Sequence, residues 1–158
     1  FIFAVLIFYE GFKRPQFFHL PEQSEEKPKY EKSKLTKEEN DLILNKLSAF
    51  MEKEKPYLDP VLTLSGLAKK VDASPRHLSQ VINDSLNKNF YDFINSYRVN
   101  ESLKYLAGSG NNRKTILEIL YESGFNSKST FYKVFKDLTG ESPTGFKNRK
   151  NLHDEIKK

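Results

Sequence analysis

The chain has 158 residues, 37% hydrophobic and 30% charged, with a formal net charge of +5, which allows one compact domain with appendages or two very small ones. It contains no cysteine, which excludes a disulfide framework, a thiol nucleophile and a cysteine-based zinc site. Residues 61–150 hold 14 Lys and Arg against 8 Asp and Glu, a net +6; such a surface suits a polyanion, although solubility alone can account for it.

Residues 1–9 (FIFAVLIFY) are continuously apolar and are followed by Lys13, Arg14 and Pro15. Nine residues fall short of the roughly 20 that a helix needs to cross a hydrocarbon core. The run reads as the last turns of a transmembrane helix with Lys13 and Arg14 as its cytoplasmic flank, or else as a strand or packed tail. A start on Phe1 in mid-run, with Met51 as the only methionine, favours the first reading and a chain cut from something longer. Residues 1–14 are therefore expected to be an apolar tail that ends a membrane helix. Residues 15–36 are expected to be a linker, because PEQSEEKPKYEKSKLT (21–36) is charged, holds two prolines and has no apolar period.

Thr36-Lys37-Glu38-Glu39 has the spacing of a capping box, in which the Thr hydroxyl and the Glu39 carboxylate satisfy free N–H groups at a helix start. Ile43, Leu47, Phe50 and Met51 follow at helical spacing, so a helix is predicted over 37–55, closed by Pro56 and Pro60. It precedes a main domain at 56–150, with a polar tail at 151–158. Leu64, Leu67, Ala68 and Val71 make one apolar face; Asp72-Ala73-Ser74 interrupts it, and Ser74 caps a helix opening on Pro75. Leu78, Val81 and Ile82 make the next face. A longer helix spans about 90–106, with Phe93, Ile94, Tyr97 and Leu103 inward. No segment alternates with period two long enough to be a strand, so the domain is all-α.

The stretches LSGLAKKVDASPRHLSQVINDSLNKNFYDFI (64–94) and ILEILYESGFNSKSTFYKVFKDLTGESPTGFK (116–147) share one layout. Ala68 to Asp72 matches Leu120 to Gly124, Leu78 to Ile82 matches Phe131 to Phe135, and Asn87 matches Gly140. The offset grows from 52 before the turn to 53 after it, so the second turn holds one extra residue. Two helix–turn–helix units, each ending on a residue suited to a left-handed cap, are joined by one connecting helix.

A helix–turn–helix that docks into DNA needs two closely crossing helices, a turn tolerant of positive φ, and a second helix whose N-terminal end faces outward. Ala68, Asp72 and Gly124 meet the first two demands. Ser127, Lys128, Ser129, Thr130 and Lys133 are polar where a groove-facing tip should be, while Phe131 and Phe135 anchor the same helix. Plain helical hairpins with solvated tips would show the same pattern once; two in tandem on a basic domain favour DNA.

The string ILEILYESGFNSKSTFYKVFK followed by TGESPTGFK resembles the C-terminal signature of the AraC/XylS family of bacterial transcription regulators. LTLSGLA, SPRHLSQVI and FINSYRV resemble that family's first helix–turn–helix and connecting helix. The resemblance covers about residues 56–149 and implies an all-α, homeodomain-like fold of tandem helix–turn–helix units. It departs at Leu120, where a small residue is usual and a wider crossing is expected, and at Asp72 and Asn87, where Gly is common. It implies that Arg76, Ser79 and Gln80 read bases in one major groove, and that Ser129, Thr130 and Lys133, with Lys128 nearby, read the next. Arg98, Lys147 and Arg149 would contact the phosphate backbone or serve packing. The expected partner is double-stranded DNA, with RNA polymerase, and self-association through regions N-terminal to this chain, as further candidates. No cofactor, metal or small-molecule ligand is expected in this fragment. On the same analogy, YEGFKRP would flank the membrane end of a tethered sensor protein in the cytoplasm.

Two rival classes compete. An enzyme finds little support: His19, His77 and His153 lie in unrelated settings, and no phosphate loop, H-E-x-x-H or G-x-S-x-G occurs. The alternative is a helical protein-interaction output module of a membrane sensor without base readout. RNA readers display stacking aromatics, whereas most aromatics here fall at core spacing, Tyr132 being the exception.

Overall fold

The structure, a computed structural model, describes residues 35–107 and 114–156. Among them are seven α-helices, one 3₁₀ turn and no strand. The first helix, α1 (Lys37–Glu54), starts in the expected capping box: Thr36 Oγ1 accepts from the Glu39 N–H at 3.2 Å, and the Glu39 carboxylate accepts from the Thr36 N–H at 2.9 Å. It ends at Lys55, whose φ of 46° is left-handed. Pro56 lacks the N–H that would continue it, and the chain enters the 3₁₀ turn Pro56–Leu58.

Six helices follow: α2 (Leu64–Lys70), α3 (Pro75–Leu86), α4 (Phe90–Ala107), α5 (Ile116–Glu122), α6 (Lys128–Thr139) and α7 (Pro143–Ile156). They form two cores. Leu47 and Met51 of α1 are buried with Leu67, Leu78 and Ile82, so α1 packs on the first helix pair. Ile119, Leu120, Phe125, Phe131 and Phe135 form the second core. Phe131 and Phe135 have no exposed surface, and burying such a side chain stabilises by about 1.5–3 kcal/mol. The connecting helix α4 serves both. Phe93 and Ile94 enter the first core, Val99 and Leu106 the second, which is why its apolar residues follow no single stripe.

The internal repeat holds at the level of single hydrogen bonds. The first turn closes with the Ala73 N–H donating to the Ala68 carbonyl at 3.0 Å, the second with the Phe125 N–H donating to the Leu120 carbonyl at 3.1 Å. Asp72 and Gly124 occupy matching positive-φ positions at 57° and 85°. The extra residue is Asn126, after which Ser74 and Ser127 cap α3 and α6 alike. Asn87 (φ 50°) and Gly140 (φ 83°) end them, both left-handed. Leu120, expected to widen the second crossing, is buried at 1% exposure with the turn bond intact.

No helix among the described residues is long and apolar enough to cross a membrane. The expected tail at 1–14 lies outside the described residues.

Candidate nucleic-acid interface

The polar tips of α3 and α6 begin at serine caps. Ser74 Oγ accepts from the His77 N–H at 3.1 Å and Ser127 Oγ from the Thr130 N–H at 3.4 Å. Each cap satisfies one of the free N–H groups of a first turn. The others point along the helix axis with the positive end of its dipole, a ready anion site. Buried Leu78, Val81 and Ile82 fix the inward side of α3, and buried Phe131 and Phe135 that of α6.

Of the residues expected in the first groove, Arg76 is exposed and Ser79 and Gln80 are half-buried on the flank of α3. Asn83, one turn on, donates its amide to the Ser79 carbonyl at 2.9 Å. His77 faces the cleft between α3 and α1, beside Leu42 and Ile43, and Asn40 of α1 donates to Ser85 Oγ at 2.9 Å. That side of α3 therefore faces α1 across an open cleft at its N-terminal end and is tied to α1 near its C-terminal end.

In the second unit Lys128, Ser129, Thr130 and Lys133 are all exposed. Ser127 and Ser129 share a hydroxyl–hydroxyl bond of 2.9 Å. The Lys128 ammonium lies 5.6 Å from the Tyr132 ring centroid, and the Tyr132 hydroxyl meets Thr144 Oγ1 at 3.2 Å, tying α6 to α7. Lys133 pairs with Asp137 one turn later at 3.0 Å. This pair is exposed and has its cation on the N-terminal side, the weaker order on a helix, so Lys133 can exchange it for a phosphate or base edge at little cost.

The three expected backbone contacts are differently placed. Arg149 pairs with Glu141 and lies 5.0 Å from the Phe146 ring centroid; Lys147 donates to the Lys114 carbonyl. Arg98 is engaged by the protein. Its Nε donates to the Tyr57 carbonyl at 2.8 Å, its Nη2 to the Asp59 carbonyl at 2.9 Å, and its guanidinium lies 5.7 Å from the Phe125 ring centroid. Burial lowers the Arg98 guanidinium from its ordinary value, with Asp59 acting in the opposite sense.

Sequence reasoning missed a second cluster beside it. Glu101 on α4 is buried at 5% exposure. It accepts from Lys55 Nζ at 2.9 Å, from Lys104 Nζ at 2.8 Å and, more weakly, from the Tyr57 hydroxyl at 3.4 Å. Burial pushes its carboxyl up, but the hydrogen bonds and charges of Lys104 and Lys55 outweigh this and hold it below its ordinary value. Only the i,i+3 spacing of Glu101 and Lys104 was visible locally; Lys55 and Tyr57 lie 46 and 44 residues away.

Residues 67–149 match the family described as a helix-turn-helix domain. An uncharacterized HTH-type transcriptional regulator of Staphylococcus aureus (strain COL) is 31% identical over 86 residues, which cover 54% of this chain and 11% of that protein. The chain thus spans about a tenth of that relative's length. In fold it is similar to a transcriptional regulator of Chromobacterium violaceum described as AraC-type. The TM-score there is 0.59 at 19% identity, over 70% of this chain and 93% of that one. It is similar also to the DNA-binding domain of AdpA, solved in complex with a target DNA, with a TM-score of 0.58 at 14% identity, over 70% and 94% of the two chains. With over half its residues inside the matched domain and the same paired hairpins in its structure, this chain belongs to the AraC-type helix-turn-helix family.

Proposed function

We propose that this chain is the sequence-specific DNA-binding part of a transcription regulator and reads two successive major grooves of double-stranded DNA. The observation that carries this is the duplication: two hairpins with the same turn bond, the same serine cap and the same left-handed stop, both presenting polar N-terminal tips. In the first groove Arg76 and Gln80 are the readers, since a guanidinium takes guanine bidentately and a carboxamide takes adenine; Ser79 lies beside them. In the second, Ser129, Thr130 and Lys133 read and Lys128 supplies charge. Lys147 and Arg149 contact phosphate, whereas Arg98, with two donors already committed, positions the units.

On this proposal RNA polymerase and a second copy of the protein are the further partners. A cytoplasmic location follows from DNA as the target. Tethering at residues 1–14 rests on their sequence alone.

Selection of random duplexes by the full chain tests the reading. The expected product is a pair of half-sites roughly one helical turn, about 34 Å, apart. Recovery of unrelated sequences with no shared motif would leave a helical module without base readout.

A further inference from the structure

We infer that Arg98 selects the spacing between half-sites: it is a positioning residue that sets how far apart, and at what relative rotation, the two recognition helices meet DNA. The inference rests on the two-groove reading above.

The two cores are joined along α4, and side chains on one shared helix leave some freedom to twist one unit against the other. A second strut away from that axis removes it. The 3₁₀ turn Pro56–Leu58 is that strut. Tyr57 is buried in the first core, its ring centroid 5.3 Å from that of Tyr97 and tilted 31° to it. The other side of the turn lies against the second unit: a Cβ added at Gly124 would come within 2.3 Å of the Tyr57 carbonyl oxygen and 2.8 Å of Leu58 Cα.

Arg98 bolts this contact to the connecting helix. It bonds two carbonyls of the segment leaving the first core and covers the ring of Phe125, the residue whose N–H closes the second turn. One side chain thus touches the connecting helix, the strut and the second hairpin. A guanidinium suits the place because it offers several donors in a fixed plane that also stacks on an aromatic ring; an ammonium is a point charge on a flexible stem, with no planar face to stack and no fixed fork of donors.

Moving one half-site by a single base pair shifts it about 3.4 Å and rotates it about 35°, beyond the tolerance of base-edge hydrogen bonds. A stiff pair of readers must pay for that shift in lost contacts, and a loosened pair can follow it.

The test uses the full chain and the duplex recovered by selection, remade with one base pair inserted or removed between half-sites. Wild-type protein should bind the altered duplexes at least about tenfold more weakly. Arg98→Lys should lose only about threefold or less, with base preferences inside each half-site unchanged. A penalty as steep in the variant as in the wild type, with or without uniformly weaker binding, overturns the inference and leaves Arg98 a phosphate contact or a plain packing residue. Wild-type protein indifferent to spacing overturns the two-groove reading and this inference together. A second measurement needs no DNA. The chain is free of cysteine, so Asp84→Cys with Leu138→Cys places one spin label on each of α3 and α6. The distance distribution between them should broaden on Arg98→Lys; an equally narrow one also overturns the assignment.

Discussion

Gly124 lies against the backbone of Tyr57 so closely that a Cβ built on it would sit 2.3 Å from the Tyr57 carbonyl oxygen. Gly140 has nearly the same backbone, φ 83° against 85°, yet a Cβ there meets nothing within 4 Å. The two glycines therefore separate conformational cost from steric cost. Gly140→Ala should destabilise by about 1 kcal/mol, the cost of a left-handed non-glycine residue. Gly124→Ala adds a backbone collision and should cost about 3 kcal/mol or more. Urea unfolding of both variants checks this; equal losses would mean that the 3₁₀ turn yields freely and is no strut.

Glu101 makes stability depend on acid. Because its carboxyl is held below its ordinary value in the folded protein, it contributes stability that is fully present above the unfolded value of about 4.3. That contribution is lost as pH falls through the lower folded value. Glu101→Gln should cost about 1–3 kcal/mol near neutral pH, and the gap to wild type should close in more acid solution. A gap that is independent of pH would show that shape, not charge, holds the cluster together.

The assigned readers should differ from the assigned phosphate contacts in kind. Gln80→Ala and Lys133→Ala should each weaken the selected duplex by about 1–3 kcal/mol and random duplex much less. Arg149→Glu should weaken both alike. Competition binding against the two duplexes decides it; equal losses on both for Gln80→Ala would remove it from the base edges.

Asp137 restrains Lys133 through an exposed pair at 3.0 Å. Pairs of this kind contribute about 0.3–0.5 kcal/mol, so Asp137→Asn should leave folding almost unchanged. Removing a negative charge beside the second tip should tighten binding to any duplex by a few fold. Unchanged affinity would place Lys133 away from the DNA.

Salt distinguishes DNA binding from protein docking. If the exposed cations of both tips and of α7 neutralise about six phosphates, the log–log slope of affinity against salt should be near −5. A slope near zero on the selected duplex would leave the basic surface without a polyanion.

The helices, their caps and the repeat were legible because each is written within a few residues. The Thr36–Glu39 box, the Ser74 and Ser127 caps and the positive-φ turns are bonds across five residues or fewer. The insertion in the second turn was visible as a change of offset and falls at Asn126. The exposed second tip was legible for the same reason, since Phe131 and Phe135 at i,i+4 spacing turn Lys128, Ser129 and Lys133 outward. The first tip was harder, because α1 lies across a cleft from the His77 side of α3 and no pattern in either helix announces the other. Arg98 was open to two roles in the sequence, and its partners Tyr57 and Asp59 lie 41 and 39 residues away.

The order of polar and apolar residues along the chain determined two duplicated helical hairpins and the helix between them, because helix period, capping and turn formation are short-range. Folding alone decided that the turn after α1 is wedged between the hairpins, and that Arg98 and Glu101, two charges on one helix, turn inward instead of into water. A buried ion is stable only where partners from distant segments converge on it. That convergence exists in three dimensions and, apart from the i,i+3 spacing of Glu101 and Lys104, leaves no local trace in the order of the residues.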